Sequence, residues 1–127
     1  MIVLDASVMI AILDPHDAHY PPARELFRAN AAQRLVAHRL SMAESLVVAA
    51  RADQTAAVAF ALAALGVGHV DEPDNPVELA ELRARTGLRM PDACVLLAAR
   101  RDNASLATFD VRLAQAARDL GVSALGQ

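Results

Sequence analysis

The chain contains no lysine; all twelve of its basic residues are arginine. Chemistry that depends on an amine side chain is therefore closed to it. A phosphoacceptor receiver domain, which steadies its acyl phosphate with a lysine, is excluded on that ground. The basic groups that remain are guanidinium forks, suited to phosphate and carboxylate. Cysteine occurs once, at Cys94, so there is no internal disulfide framework. Cys94 lies in the apolar stretch PDACVLLAA, where a buried, inert thiol is expected rather than a nucleophile. Aromatic residues are scarce, with three phenylalanines and one tyrosine. These are too few for the base-stacking platforms of single-strand binders. No apolar run is long enough to span a membrane, and the N-terminus lacks the basic region of a signal peptide. The expectation is a soluble, cytoplasmic protein without a membrane partner. Neither a P-loop nor a G-x-G-x-x-G stretch is present, and there is no internal repeat, low-complexity tract or linker.

What the chain does have is 127 residues, 55% of them apolar, enough for one domain over residues 1–127 with its own core. The net charge of −3 gives no broad attraction to nucleic acid, so a nucleic-acid partner would need local arginines or bound cations. Short apolar runs at 2–4, 34–38, 67–72, 105–109 and 122–125 predict strands. Between them lie helical patterns at 7–13, 22–32, 41–53, 54–66, 76–86, 91–103 and 110–121, with a loop at 14–22 rich in turn formers. The helix at 76 has the clearest signature: Asn75 as cap, Pro76 at its first position, Glu78 three residues after the cap and Gly87 to close it. Short apolar strands alternating with helices indicate a parallel sheet covered on both faces, an α/β sandwich of about five strands. Sites in such sheets form beyond the carboxyl ends of the strands.

Four acids share that address. Asp5 ends the first strand and Asp110 follows the fourth. Glu44 and Asp92 sit in the first turns of the helices after the second strand and at Pro91. Each also has a purely local explanation. Ser41 and Glu44 spell a capping box, Asp92 complements a helix dipole, and Asp5 and Asp110 are placed as N-caps. Convergence would change the weighting. Two like charges ~5 Å apart at an effective dielectric of ~20 repel by roughly 3 kcal/mol. Six such pairs approach ~20 kcal/mol, against a domain stability of about 5–15 kcal/mol. Such a cluster must take up protons or bind cations, and hard oxygen ligands select Mg²⁺ or Mn²⁺ over zinc or copper. A haloacid-dehalogenase-type phosphatase would need a second aspartate two residues after the first, where this chain has Ser7.

The runs VLDASVMIAIL, SMAES, RMPDACVLLAA and LATFD follow one another in the order and spacing of PIN-domain ribonucleases. Over essentially its whole length the chain most resembles the VapC toxins of bacterial toxin–antitoxin pairs. R-x-P-D-A opening a helix, followed by T-x-D ending a strand, is the most specific part of the match. The resemblance implies a three-layer α/β/α sandwich and a Mg²⁺- or Mn²⁺-dependent endoribonuclease that inhibits translation and growth. It also implies a homodimer and a cognate VapB-type antitoxin. Asp5, Glu44, Asp92 and Asp110 would hold one or two metal ions, with Glu44 either a ligand or a group that orients water. Ser7 and Thr108 match the family's small polar and hydroxyl positions beside the metal. Water activated at the metal would attack the phosphorus in line and leave a 5′ phosphate and a 3′ hydroxyl. The alternative is a PIN-like domain that has lost catalysis and serves as a binding module.

Arg39, Arg85, Arg89 and Arg112 fall near strand ends or helix starts and are candidates for RNA phosphate contact, Arg89 foremost; surface ion pairing is the competing reading. His16 and His19 flank an aspartate, but no further ligands complete a zinc site, and a polar loop is expected. His38 ends the second strand and reads as a structural histidine, with RNA contact as the alternative; His69 reads as strand packing or a strand edge. The alanine-rich helix with Phe60 and Leu62 suits either core packing or a dimer or antitoxin interface.

Overall fold

Strand β1 (Ile2–Leu4) is the hub of the molecule. In the computed structural model, which describes residues 1–71 and 73–127, β1 pairs in parallel with β2 (Leu35–Ala37) on one side and β4 (Ser105–Ala107) on the other. β3 (Val67–His69) adds outside β2, and β5 (Ala124–Leu125) outside β4. The five-stranded sheet has the order β3-β2-β1-β4-β5 and is parallel throughout. Glu72, the last residue of the third expected strand, lies outside the described residues.

The alternation of side chains along each strand sorts the core into two halves. Val3, Val36 and Leu106 point to one face and join Leu82, Leu96 and Leu113. These come from α5 (Pro76–Thr86), α6 (Met90–Arg101) and α7 (Val111–Asp119). Ile2, Leu4, Leu35, Val67 and Ala107 point to the other face and join Val8, Leu26 and Leu62. These come from α1 (Ala6–Leu13), α2 (Tyr20–Ala29) and α4 (Thr55–Ala64), beside α3 (Arg39–Arg51). The result is the expected three-layer α/β/α sandwich. No helix among the described residues is long and apolar enough to cross a membrane.

Several boundaries differ from the expectation, for identifiable reasons. The loop at 14–22 is shorter, because α2 starts at Tyr20 and takes both Pro21 and Pro22 into its first turn. First-turn N–H groups have no intrahelical partner, so proline loses nothing there. The strands are also shorter than the apolar runs: β4 ends at Ala107, and β2 spans only Leu35–Ala37. At the sheet's carboxyl edge the backbone turns at once into helix or loop, and that abrupt turn leaves Asp5, His38 and Thr108 at one edge. The α5 cap is as expected: Asn75 Oδ1 accepts from the N–H groups of Val77 (3.0 Å) and Glu78 (3.2 Å), and Gly87 closes the helix with φ +69°.

Candidate active site

Connections from β1 run one way to β2 and β3, while β4 and β5 lie on the other side. The switch point between β1 and β4 is where a crevice opens in such sheets, and Asp5 stands there, 6% exposed. Asp5 occupies the N-cap position of α1, but its side chain makes no capping hydrogen bond. Its carboxylate turns to two hydroxyls instead. Ser7 Oγ and Thr108 Oγ1 both donate to Oδ2, at 2.7 and 2.8 Å. Each hydroxyl has a single hydrogen, so both are committed to Asp5. Their remaining capacity is acceptance: Phe109 N donates to Ser7 Oγ (3.0 Å) and Asp110 N to Thr108 Oγ1 (3.0 Å). The turn after β4 is thereby fixed onto the end of β1, with Thr108 wholly buried at the joint.

Asp110 is the N-cap of α7, accepting from Leu113 N through Oδ1 at 3.0 Å. Asp92, in the first turn of α6, is nearly buried and has Arg89 Nε 3.4 Å from its Oδ2. Burial pushes the Asp92 carboxyl above its ordinary range; the charges of Asp5 and Asp110 push the same way and the Arg89 guanidinium opposes them. The Glu44 carboxyl is also raised, first by partial burial, with Asp5 and Asp92 adding to it against the pull of Arg89. These couplings tie the four acids together: Asp92 feels Asp5 and Asp110, and Glu44 feels Asp5 and Asp92.

The capping box expected of Ser41 and Glu44 is not formed. α3 starts two residues earlier, at Arg39, with His38 as its cap, and Ser41 is buried inside the helix. Glu44 therefore lies in the second turn of α3 rather than the first, because Arg39 and Leu40 extend the helix ahead of it. Arg89 supplies positive charge locally, because it lies against Asp92 and acts on Glu44. Carboxylate oxygen is the donor type that a hard divalent cation takes.

The other arginines divide. Arg39 opens α3 at the same sheet edge and is exposed. Arg112 instead donates through Nη2 to Gly87 O (3.0 Å), closing the end of α5. Arg85 lines an open depression with Glu78, Glu81 and Arg100. His19 stacks on Phe109, with ring centroids 4.8 Å apart, and His69 is exposed on the edge strand β3. Cys94 is buried, and burial, with Asp74 adding, pushes its thiol up to about 11. Sequence reasoning missed Asp74, whose Oδ2 lies 2.8 Å from His38 Nε2. Its only local signal was adjacency to the Asn75 cap.

Solved structures share this architecture. FitAcB from Neisseria gonorrhoeae aligns with 98% of this chain and 96% of its own, at TM-score 0.71 and 18% identity. VapC20 from Mycobacterium tuberculosis, a sarcin–ricin-loop-cleaving toxin, aligns with 91% and 95%, at TM-score 0.68 and 17% identity. A toxin–antitoxin complex from Klebsiella pneumoniae gives 90% and 90%, at 0.64 and 20%. At these identities the likeness is one of fold. No curated protein matches the chain in sequence. The PIN domain model, however, matches residues 2–119, a span that holds all four acids, both supporting hydroxyls and every strand except β5, and the chain belongs to the PIN domain family.

Proposed function

We propose that the chain is a divalent-metal-dependent endoribonuclease, a single PIN domain acting as a VapC-type toxin restrained by a VapB-type antitoxin. The observation that carries this reading is the placement of four acids from separate segments: Asp5 after β1, Glu44 in α3, Asp92 in the first turn of α6 and Asp110 at the N-cap of α7. Repulsion among them disfavours the metal-free state, and a cation reverses that. Mg²⁺ or Mn²⁺ bound there would supply an acidified water and neutralise charge on the scissile phosphate. The chain's own groups do the rest. Asp5 is oriented by Ser7 and Thr108; Asp110 caps with Oδ1, which leaves Oδ2 for the cation; Glu44 either completes the ligand set or orients water. Arg89, 72% exposed in its side chain, can exchange Asp92 for an RNA phosphate. VapC20 is itself an RNA-cleaving toxin and the Klebsiella structure is a toxin–antitoxin complex, which supports the partner and substrate classes. Val48 on α3 and Phe60 on α4, 75% and 76% exposed, are apolar side chains open to a second copy or to antitoxin.

The test is RNA cleavage in Mg²⁺ or Mn²⁺ by wild type and Asp92→Asn, with 5′ phosphates mapped across total RNA. Wild type is expected to cut, and the variant to remain folded and lose at least about a hundredfold in rate. Full cleavage by pure Asp92→Asn contradicts the assignment. A binding module without an ion site would instead show no thermal stabilisation by Mn²⁺, whereas the nuclease shows one that Asp5→Asn abolishes.

A further inference from the structure

The group of His38, Asp74 and Cys94 lies outside the four-acid site, with ligand-type atoms within 4.8 Å of one another. A soft metal ion would be the obvious occupant, but the hydrogen bonds argue otherwise. His38 is 3% exposed, and its Nδ1 accepts from Leu40 N–H at 3.1 Å, which caps α3. A neutral imidazole has one N–H. With Nδ1 accepting, that hydrogen sits on Nε2 and is donated to Asp74 Oδ2 at 2.8 Å. Nε2 is therefore no metal ligand while the cap holds.

What the pair does is select a tautomer. Histidine is not among the usual N-caps; it can cap only with Nδ1 bare. On Nδ1 the hydrogen would face the Leu40 N–H, donor against donor, and the first turn of α3 would lose its anchor. Asp74 Oδ1 is buried with no hydrogen-bond partner among the described residues, and the carboxylate is held through Oδ2 by the imidazole, with the Cys94 thiol beside it. Glu44 lies in the second turn of α3, on the helix whose start this cap fixes. We propose that Asp74 and His38 are positioning residues for α3 and, through it, for Glu44: Asp74 holds His38 in the tautomer that caps the helix, and the cap fixes where the helix that carries Glu44 begins.

Only the activity arm of the test rests on the nuclease reading. In nitrogen-15 spectra, wild-type His38 should show a bare Nδ1 and a protonated Nε2, and Asp74→Ala should mix the tautomers. RNA cleavage should fall by about tenfold in Asp74→Ala, the low end of the range for losing the outer partner of a metal ligand, because Asp74 acts through His38 and the helix start. Asp74→Asn, whose amide oxygen accepts the same hydrogen, should recover most of it. His38→Asn caps α3 with no tautomer to choose, so adding Asp74→Ala to it should cost nothing further. An unchanged tautomer in Asp74→Ala overturns the proposal, as does an equal loss of cleavage from Asp74→Ala in the wild-type and His38→Asn backgrounds. If no form cleaves RNA, wild type included, the nuclease reading falls and the tautomer spectra alone decide.

Discussion

Thr108 has one hydroxyl hydrogen, and Asp5 takes it. The same oxygen accepts the Asp110 N–H, so one buried side chain serves two of the four acids. Thr108→Val keeps the shape and removes both bonds, leaving the Asp110 N–H and an Asp5 carboxylate oxygen short of partners. The expected cost is about 1–3 kcal/mol in urea unfolding, with a 10–100-fold loss of Mn²⁺ affinity by titration; Thr108→Ser should retain most of both. Gly126 presses on the same joint from β5's side. Its φ is +96°, and a Cβ there would lie 2.7 Å from Thr108 O. At this scale the sequence was informative where a residue type has few uses. A bare aspartate after a buried strand, and another after T-x, were visible as site candidates. The Ser41–Glu44 spacing misled, because a capping box is a statement about where a helix begins, and Arg39 and Leu40 extend α3 past it. Asp74 was invisible, since its partner His38 is 36 residues away.

Helix α7 shows how a capping role and a site role can share one residue. Asp110 Oδ1 holds Leu113 N, an interaction that asparagine can reproduce and alanine cannot. Asp110→Asn is therefore expected to keep the cap and to melt no lower than wild type in metal-free buffer, while losing Mn²⁺-dependent cleavage. Asp110→Ala should lose cleavage and also ~0.5–2 kcal/mol of stability, measured by chemical denaturation in metal-free buffer. A parallel drop in stability for both variants would show that the cap needs the full charge. Elements themselves were legible because their periods differ: all five strands and seven helices among the described residues fall where the apolar patterns place them. Their ends were less so. Pro21 and Pro22 suggested a loop and instead open α2, since a proline's compatibility with a first turn depends on whether the next residues pack, and Ala23 and Leu26 do.

For the molecule as a whole, strand order is the property that local patterns could not supply. Nothing in the spacing says that β4 joins β1 on the side away from β2, yet that reversal puts Asp5 beside Thr108 and Asp110. Its consequence is a fold that works against itself without a cation. Asp92 and Glu44 have carboxyls raised in the native protein, so between the unfolded values near pH 4 and the higher native values the folded form binds more protons than the unfolded one. The contribution of these groups is thus most favourable below about pH 4 and is lost as the pH climbs through the native values. Asp92→Asn removes the Asp92 share. In metal-free buffer the variant should melt higher than wild type near pH 7, by up to the ~0.5–2 kcal/mol typical of relieving such strain, and the difference should shrink towards zero near pH 4. Saturating Mn²⁺ should reverse the order at pH 7, because a ligand stabilises only the state that binds it. Wild type melting above Asp92→Asn without metal at neutral pH would mean that the Arg89 guanidinium, 3.4 Å away, already outweighs burial and the neighbouring acids. The pocket would then need no cation to exist.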